Sequence, residues 1–381
     1  MNDLILAAAT DTRPVAGLTH DFYRYPARFA PGLARALITR FTVPGDLVVD
    51  PFMGGGTTLV EAAALGRAAV GSDLNSLAAF VATVKTRPLT GWQERVVSEW
   101  RQDLEWRMNL RRRIPLTVAT PPKASRQSWA VMKSIALALA SLESIEDSRA
   151  RAFSRCAVLK TGQWALDSRK EIPTAAHFRG QLDAHIAGML ISSRHLRTAI
   201  AAAPWPGSRP ILAKCRHMGA EDLPREPTLK GVKPALILTS PPYPGVHVLY
   251  HRWQVRGRRE TPAPYWIAAT QDGQGPSYYT FAHRTNEGGY FARMEKAFRA
   301  LNQIAGERTV VAQVVGFSEP EAQLPLYLRS MEKAGFVETR EAGPSNAPDG
   351  RLWRSVPNRK WYTISDGHAG SEVVLFHRKS I

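Results

Sequence analysis

The chain has 381 residues, 44% of them hydrophobic, and 50 lysines and arginines against 33 acids give a net charge of +17. That length and apolar fraction exclude a disordered chain and suffice for a large core with more than one lobe. The basic excess points to a polyanionic partner, nucleic acid first, and no apolar run is long enough to span a bilayer.

The opening "MNDLILAAATDTR" holds a short apolar stretch with no basic region before it, and Asp3 stands where a lysine would be expected. No signal peptide is expected, so the setting is read as cytoplasmic. Cys156 and Cys215 lie too far apart to suggest a disulfide framework or a zinc site. They read as small core residues in a reducing compartment. His247 and His251 are four apart but lack further ligand-type neighbours, so no metal site is expected.

Residues 46–76 carry the first clear pattern, "DLVVDPFMGGGTTLVEAAALGRAAVGSDLN". Leu47 to Val49 reads as a buried strand ending at Asp50, followed by a glycine run, Gly54 to Gly56. "TTLVEAAALG" has helical composition and a stop at Gly66. A second strand, Ala68 to Gly71, leads to Asp73. Strand, glycine turn, helix, strand and acid make half of a doubly wound α/β sheet. Glycines let backbone approach a ligand, and an acid after the second strand can accept hydrogen bonds from ribose hydroxyls. Thr57 stands where a P-loop needs lysine, which disfavours ATP, and Leu59 stands where a dinucleotide fingerprint needs its third glycine. A tight structural turn is the plain alternative for the glycines.

Residues 87–211 read mostly helical. "WQERVVSEWRQDLEWRMNLRRR" and "SWAVMKSIALALASLESI" carry apolar residues at helical spacing, and Arg111 to Arg113 form a basic cluster. The segment is expected to be an inserted lobe that closes over a cleft or grips nucleic acid; a solvated helical cover is the alternative. Then "LILTSPPYPG" ends a buried strand in two prolines, which cannot continue a central strand. Ser240 and Tyr243 are thereby held at the strand's end. Residues 245–284 mix Arg252, Arg256, Arg258 and Arg259 with Trp253 and several other aromatic residues. Such interleaving suits phosphate contact and base stacking, though aromatics buried against the insert explain it equally. The end returns to α/β: "RTVVAQVVGF" as a strand, "LPLYLRSMEKAGF" as an amphipathic helix, "SEVVLFHRKSI" as a last strand, and "RSVPNRKWY" as a loop before it.

"DPFMGGGTT" resembles the S-adenosyl-L-methionine motif of the amino-group DNA methyltransferases, with Gly55 where the family usually has serine. "HDFYRYPARFAPGLARALI" upstream and "TSPPY" downstream are similar to that family's motifs in compatible order. The resemblance implies a doubly wound, Rossmann-like methyltransferase sheet with a helical inserted lobe: a catalytic domain from 1–86 and 212–381, interrupted by 87–211. It implies S-adenosyl-L-methionine as methyl donor, double-stranded DNA as partner, and a cognate restriction enzyme in the same system. Asp50, Phe52, Gly54, Gly55, Gly56 and Thr57 would shape the cofactor loop. Asp73 would bind the ribose with Asn75 nearby, and His20, Tyr25 and Phe29 would lie on the methionine side. Gly219 falls where the family often has an aspartate near the adenine, and Glu221 or Asp222 would substitute.

An exocyclic base amine is a poor nucleophile because its lone pair is delocalised. Acceptors for both N–H groups pull it toward tetrahedral geometry. Ser240 and the Pro241 carbonyl would supply them, Pro242 would fix the turn, and Tyr243 would stack the flipped base. Serine at the first position is the family's tendency for N4 of cytosine over N6 of adenine. Neither cysteine follows a proline, which disfavours C5 methylation. An RNA base methyltransferase and a non-catalytic nucleic-acid-binding protein on this fold stay open.

Overall fold

The computed structural model describes residues 2–380 apart from 12, 14, 26–28, 116–117, 123–125, 208–212, 245–251, 256–258, 272–286, 341–344 and 356–370. Helices α1 (Asn2–Thr10) and α2 (Pro31–Phe41) precede β1 (Leu47–Asp50), α3 (Thr57–Ala64), β2 (Ala68–Asp73) and α4 (Ser76–Thr86). Five helices follow: α5 (Gly91–Gln102), α6 (Leu104–Arg107), α7 (Trp129–Ser141), α8 (Ser148–Leu166) and α9 (Ala175–Ala202). Next come β3 (Lys214–His217), β4 (Leu236–Thr239), a small ribbon of β5 (Trp253–Val255) and β6 (Arg259–Thr261), and α10 (Ala263–Ala268). The chain closes with α11 (Glu287–Ile304), β7 (Val310–Gly316), α12 (Pro320–Lys333), β8 (Phe336–Glu338), β9 (Leu352–Ser355) and β10 (Ser371–Lys379).

The main sheet runs β3-β2-β1-β4-β7-β10-β8, with β9 also on β10. β3, β2, β1, β4 and β7 are parallel neighbours, whereas β10 is antiparallel to β7, β8 and β9. This is the expected doubly wound α/β sheet. Alternation along the strands explains its two covered faces. Val48, Leu236, Leu238, Val310, Ala312 and Val314 join α1 to α4 in one core. Leu47, Val49, Ile237, Val311 and Val315 point the other way, into a core with α11 and α12. Strand order reverses beside β1, which has β2 on one side and β4 on the other. The crevice beyond the carboxyl ends of such strands is where ligands of open α/β sheets bind.

The helices between β2 and β3 build a third core. Leu77, Val81 and Val84 of α4 are buried in it with Val97, Ile135, Phe153, Leu159, Phe178 and Ile186. Phe22, Tyr23 and Tyr25 belong to the same cluster, as do Trp253, Tyr265 and Ile267. Residues 87–211 are therefore packed continuously onto α4, on one face of the sheet. No helix of the described residues is long and apolar enough to cross a membrane.

Candidate functional site

Segments far apart in sequence meet at the carboxyl ends of the central strands. Val48 and Val49 pair in parallel with Leu236 and Ile237. This register puts Asp50 at the end of β1 beside Thr239 at the end of β4, and Thr239 Oγ1 donates to Asp50 Oδ1 at 2.6 Å across 189 positions of chain. Asp50 also accepts from the Phe52 amide at 3.2 Å and from the Thr58 hydroxyl. Burial pushes the Asp50 carboxyl up to about 6 against these donors.

Asp73 closes the next strand. Its Oδ2 accepts from the Gly54 amide at 2.9 Å and its Oδ1 from the Asn75 amide at 2.8 Å. Burial again pushes the carboxyl up to about 6. Each carboxylate oxygen keeps a second lone pair, so the group retains capacity for further donors. Asn75 caps α4 by accepting from the Leu77 amide at 2.9 Å, and Tyr265 donates to the same oxygen at 3.2 Å. Its Nδ2 is buried with no partner among the described residues.

The glycine loop is constrained by protein neighbours. Gly56 has φ +75° at the N-terminus of α3, and a Cβ there would meet the Ala82 Cβ of α4 at 2.8 Å. Gly54 has φ +45°, and a Cβ there would lie 3.3 Å from the Tyr25 ring. The Tyr25 ring thus packs on the loop. Thr57 is buried in the first turn of α3, which has no side-chain cap, so its first amides stay available to a ligand. Sequence reasoning missed Lys85. It is fully buried, and its ammonium donates to the Gly55 carbonyl at 2.6 Å. No local pattern announces such a lysine.

His20 is held by Glu61. Its Nε2 sits 2.6 Å from Glu61 Oε1 on α3, Arg35 donates to the other Glu61 oxygen at 2.8 Å, and the imidazole is buried. A buried imidazole needs such a partner, and this one ties the N-terminal segment to α3. Phe29 is half-buried among the residues of α2 and β1, and Phe52 packs half-buried in the α11–α12 core. Asp222 lies in the short 3-10 turn Ala220–Arg225 after β3, half-exposed and paired with Arg225 at 2.7 Å. The Met218 amide just before that turn donates to the Asp73 carbonyl at 3.1 Å, which brings the turn to the acid.

The Ser240–Tyr243 turn is tightly held. Ser240 Oγ lies 3.0 Å from the Tyr243 hydroxyl, which donates to Glu372 Oε1 at 2.6 Å. Tyr290 of α11 donates to the Pro242 carbonyl at 2.6 Å. Among the described residues no hydrogen bond occupies the Pro241 carbonyl. The Tyr243 ring does not stand open: it is 8% exposed and would touch a Cβ on Gly316 at 2.9 Å. Glu372 was not foreseen, because only the antiparallel register of β10 places it opposite Gly316.

Trp253 is held against the helices. It is buried, its indole donates to the Tyr23 hydroxyl at 3.0 Å, and its ring lies where a Cβ on Gly162 of α8 would meet it at 3.0 Å. A large aromatic with one polar edge is satisfied by packing plus a single acceptor, and the insert supplies the packing. Arg252 beside it is exposed. Of Arg259 only the backbone, opening β6, falls within the described residues, and Arg256 and Arg258 lie outside them. Among the described residues no cluster of metal-ligating side chains occurs.

Residues 10–82, which carry Asp50, the glycine loop and Asp73, match the DNA methylase family of N6- and N4-amino methyltransferases. Over this segment the chain is similar to the amino-group DNA methyltransferases. The chain is 36% identical over 66 residues to the type II methyltransferase M.MjaII of Methanocaldococcus jannaschii, covering 17% of this chain and 12% of that one. It is 41% identical over 75 residues to the type II methyltransferase M.MvaI of Kocuria varians, covering 19% and 16%. The matched stretch is thus well under a fifth of either relative's length. Among solved structures, the rRNA methyltransferase aviRa from Streptomyces viridochromogenes aligns over 99% of this chain and 93% of its own, at 14% identity and a TM-score of 0.35.

Proposed function

We propose that the chain is a site-specific DNA methyltransferase that transfers a methyl group from S-adenosyl-L-methionine to the exocyclic amine of a flipped base, N4 of cytosine. The observation that carries this reading is the Thr239–Asp50 hydrogen bond of 2.6 Å, because it fastens the serine-proline-proline turn to the loop of the cofactor motif. Methyl transfer needs donor and acceptor atoms within reach of each other, and adjacent strand ends supply that proximity.

The residues fit the cofactor. Asp73 keeps lone pairs for ribose hydroxyls, Asn75 Nδ2 is a buried donor awaiting an acceptor, and the uncapped start of α3 offers amides. Gly54, Gly55 and Gly56 shape the loop, with Tyr25 and Lys85 holding it from beneath. Asp222 stands in the turn nearest the adenine side. S-adenosyl-L-methionine supplies an electrophilic methyl on a sulfonium. This chain's own part is to hold the amine as a nucleophile. Ser240 Oγ and the Pro241 carbonyl accept from its two N–H groups, and Pro242, held by Tyr290, keeps that carbonyl aimed.

The choice of N4 of cytosine rests on Ser240, by resemblance. Phosphate contact is assigned to exposed Arg252 and to Arg256, Arg258 and Arg259. Target reading is assigned to the insert at 87–211 together with 245–284. A cognate restriction enzyme and a cytoplasmic setting belong to the same reading. Labelled methyl transfer to duplex DNA and to RNA, tested side by side, decides the substrate. Incorporation into DNA with N4-methylcytosine after nucleoside digestion is expected. N6-methyladenine alone sinks the base assignment, RNA alone sinks the substrate, and no incorporation into either favours a binding protein.

A further inference from the structure

Tyr243 and Glu372 form a chain of hydrogen bonds behind Ser240 whose direction follows from counting protons. A phenol carries one proton. At 2.6 Å from Glu372 Oε1 the Tyr243 hydroxyl gives that proton to the carboxylate. Toward Ser240, 3.0 Å away, Tyr243 can then only accept. Ser240 therefore turns its own proton to Tyr243, and its remaining lone pairs face away from the tyrosine. Glu372 is fixed in turn by its place in the sheet. It pairs across strands with Arg354, whose Nη1 lies 3.6 Å from Glu372 Oε2, and both side chains are buried.

We propose that Glu372 is a positioning residue that acts through Tyr243 to make Ser240 Oγ a fixed hydrogen-bond acceptor for the substrate amine. The proposal rests on the methyl-transfer reading above. Without Glu372, the Ser240 proton is free to point at the amine, where it repels an N–H donor. With Glu372, the acceptor is preorganised before substrate arrives, and no reorientation is needed during the reaction. Gly316 belongs to the device, because a Cβ there would meet the Tyr243 ring at 2.9 Å and force it to move.

The test uses the full chain and two nearly isosteric substitutions. Tyr243→Phe removes the hydroxyl and keeps the ring. Glu372→Gln keeps the size but places an amide that can donate to the tyrosine and reverse the chain. Each is expected to lower kcat about tenfold, with KM for DNA and for S-adenosyl-L-methionine unchanged within about twofold. The double variant is expected to be no slower than Tyr243→Phe alone, since both break one chain. Multiplying effects in the double variant, a rise in KM alone, or full kcat in Tyr243→Phe overturns the proposal; should Glu372→Gln fail to fold, the Tyr243→Phe split of kcat from KM decides by itself. A wild-type chain that transfers no methyl to any nucleic acid overturns the functional reading instead, which keeps the two failures apart.

Discussion

Asp50 and Asp73 are both pushed up to about 6 by burial, and only one of them is expected to show it in binding. A ribose hydroxyl donates more strongly to a carboxylate than to a carboxylic acid, which keeps only part of its acceptor capacity and adds a donor of its own. The affinity of S-adenosyl-L-methionine is therefore expected to be flat above pH 6 and to fall about tenfold per unit below it. Calorimetry across pH 5 to 8 checks this, and Asp73→Asn is expected to abolish the dependence along with most of the affinity. Asp73→Ala is expected to abolish binding while the protein stays folded; unchanged affinity would return Asp73 to a purely structural role. Global stability is a poorer readout in this window. The raised carboxyls make the folded state lose stability as pH climbs from about 4 to 6. His185 and His377, pushed down to about 4 by burial, act in the opposite direction, because the unfolded chain takes up their protons below its usual histidine range. The two contributions offset each other, and binding is not subject to that cancellation, since His377 pairs with Glu338 at the far end of β10.

At the scale of elements, the start of α3 and the ribbon of β5 and β6 make contrasting predictions. Gly56→Ala places a side chain at φ +75° against the Ala82 Cβ at 2.8 Å. It is expected to cost about 1–3 kcal/mol and to weaken cofactor binding, because α3 must move off α4. Chemical denaturation and calorimetry on one preparation read both effects. Trp253→Ala empties a buried site against α8 and is expected to cost about 3–5 kcal/mol. Trp253→Phe keeps most of the packing and is expected to leave DNA affinity within about twofold. A large loss of DNA affinity in a folded Trp253→Phe would support the stacking role that the basic-aromatic pattern suggested. That pattern was legible in sequence, but burial was not. Basic residues interleaved with aromatics describe a nucleic-acid surface and a ribbon packed on a helix equally well until the partner surface is known.

The whole molecule sets the electrostatics and the reach of any exchange experiment. With a net charge of +17, duplex affinity is expected to fall linearly in log–log terms with salt, by about 0.9 for each phosphate neutralised. A slope near zero in a fluorescence titration would remove the phosphate contacts assigned to Arg252 and its neighbours. Because α4 and the insert helices share one core, exchanging residues 87–211 wholesale for another insert is expected to unfold the chain. Specificity is better probed at exposed positions. Arg112 lies over the Trp106 ring at 4.0 Å on the outside of the insert, and changing this pair is expected to alter DNA binding without altering cofactor affinity.

The sequence by itself determined the local elements of the sheet and the order of the motifs. Strands over Leu47–Val49, Ala68–Gly71 and Leu236–Leu238, each one or two residues shorter than in the structure, the glycine stop of α3 and the last strand all follow from short-range signals: apolar runs, glycine conformations and prolines that end a ladder. Asp50, Asp73 and Ser240 were legible for the same reason, since each sits where its own strand stops. What tertiary structure decided is which side chains meet there. The parallel register of β1 and β4 joins Thr239 to Asp50. The antiparallel β10 begins where the parallel strands end, and so delivers Glu372 to Tyr243. Lys85 reaches Gly55 from a helix face that looks merely apolar, and His20 is drawn to Glu61. None of these pairs leaves a trace in local composition. A buried polar atom is satisfied by whatever partner the fold brings within 3 Å, and register and packing, not spacing along the chain, choose that partner.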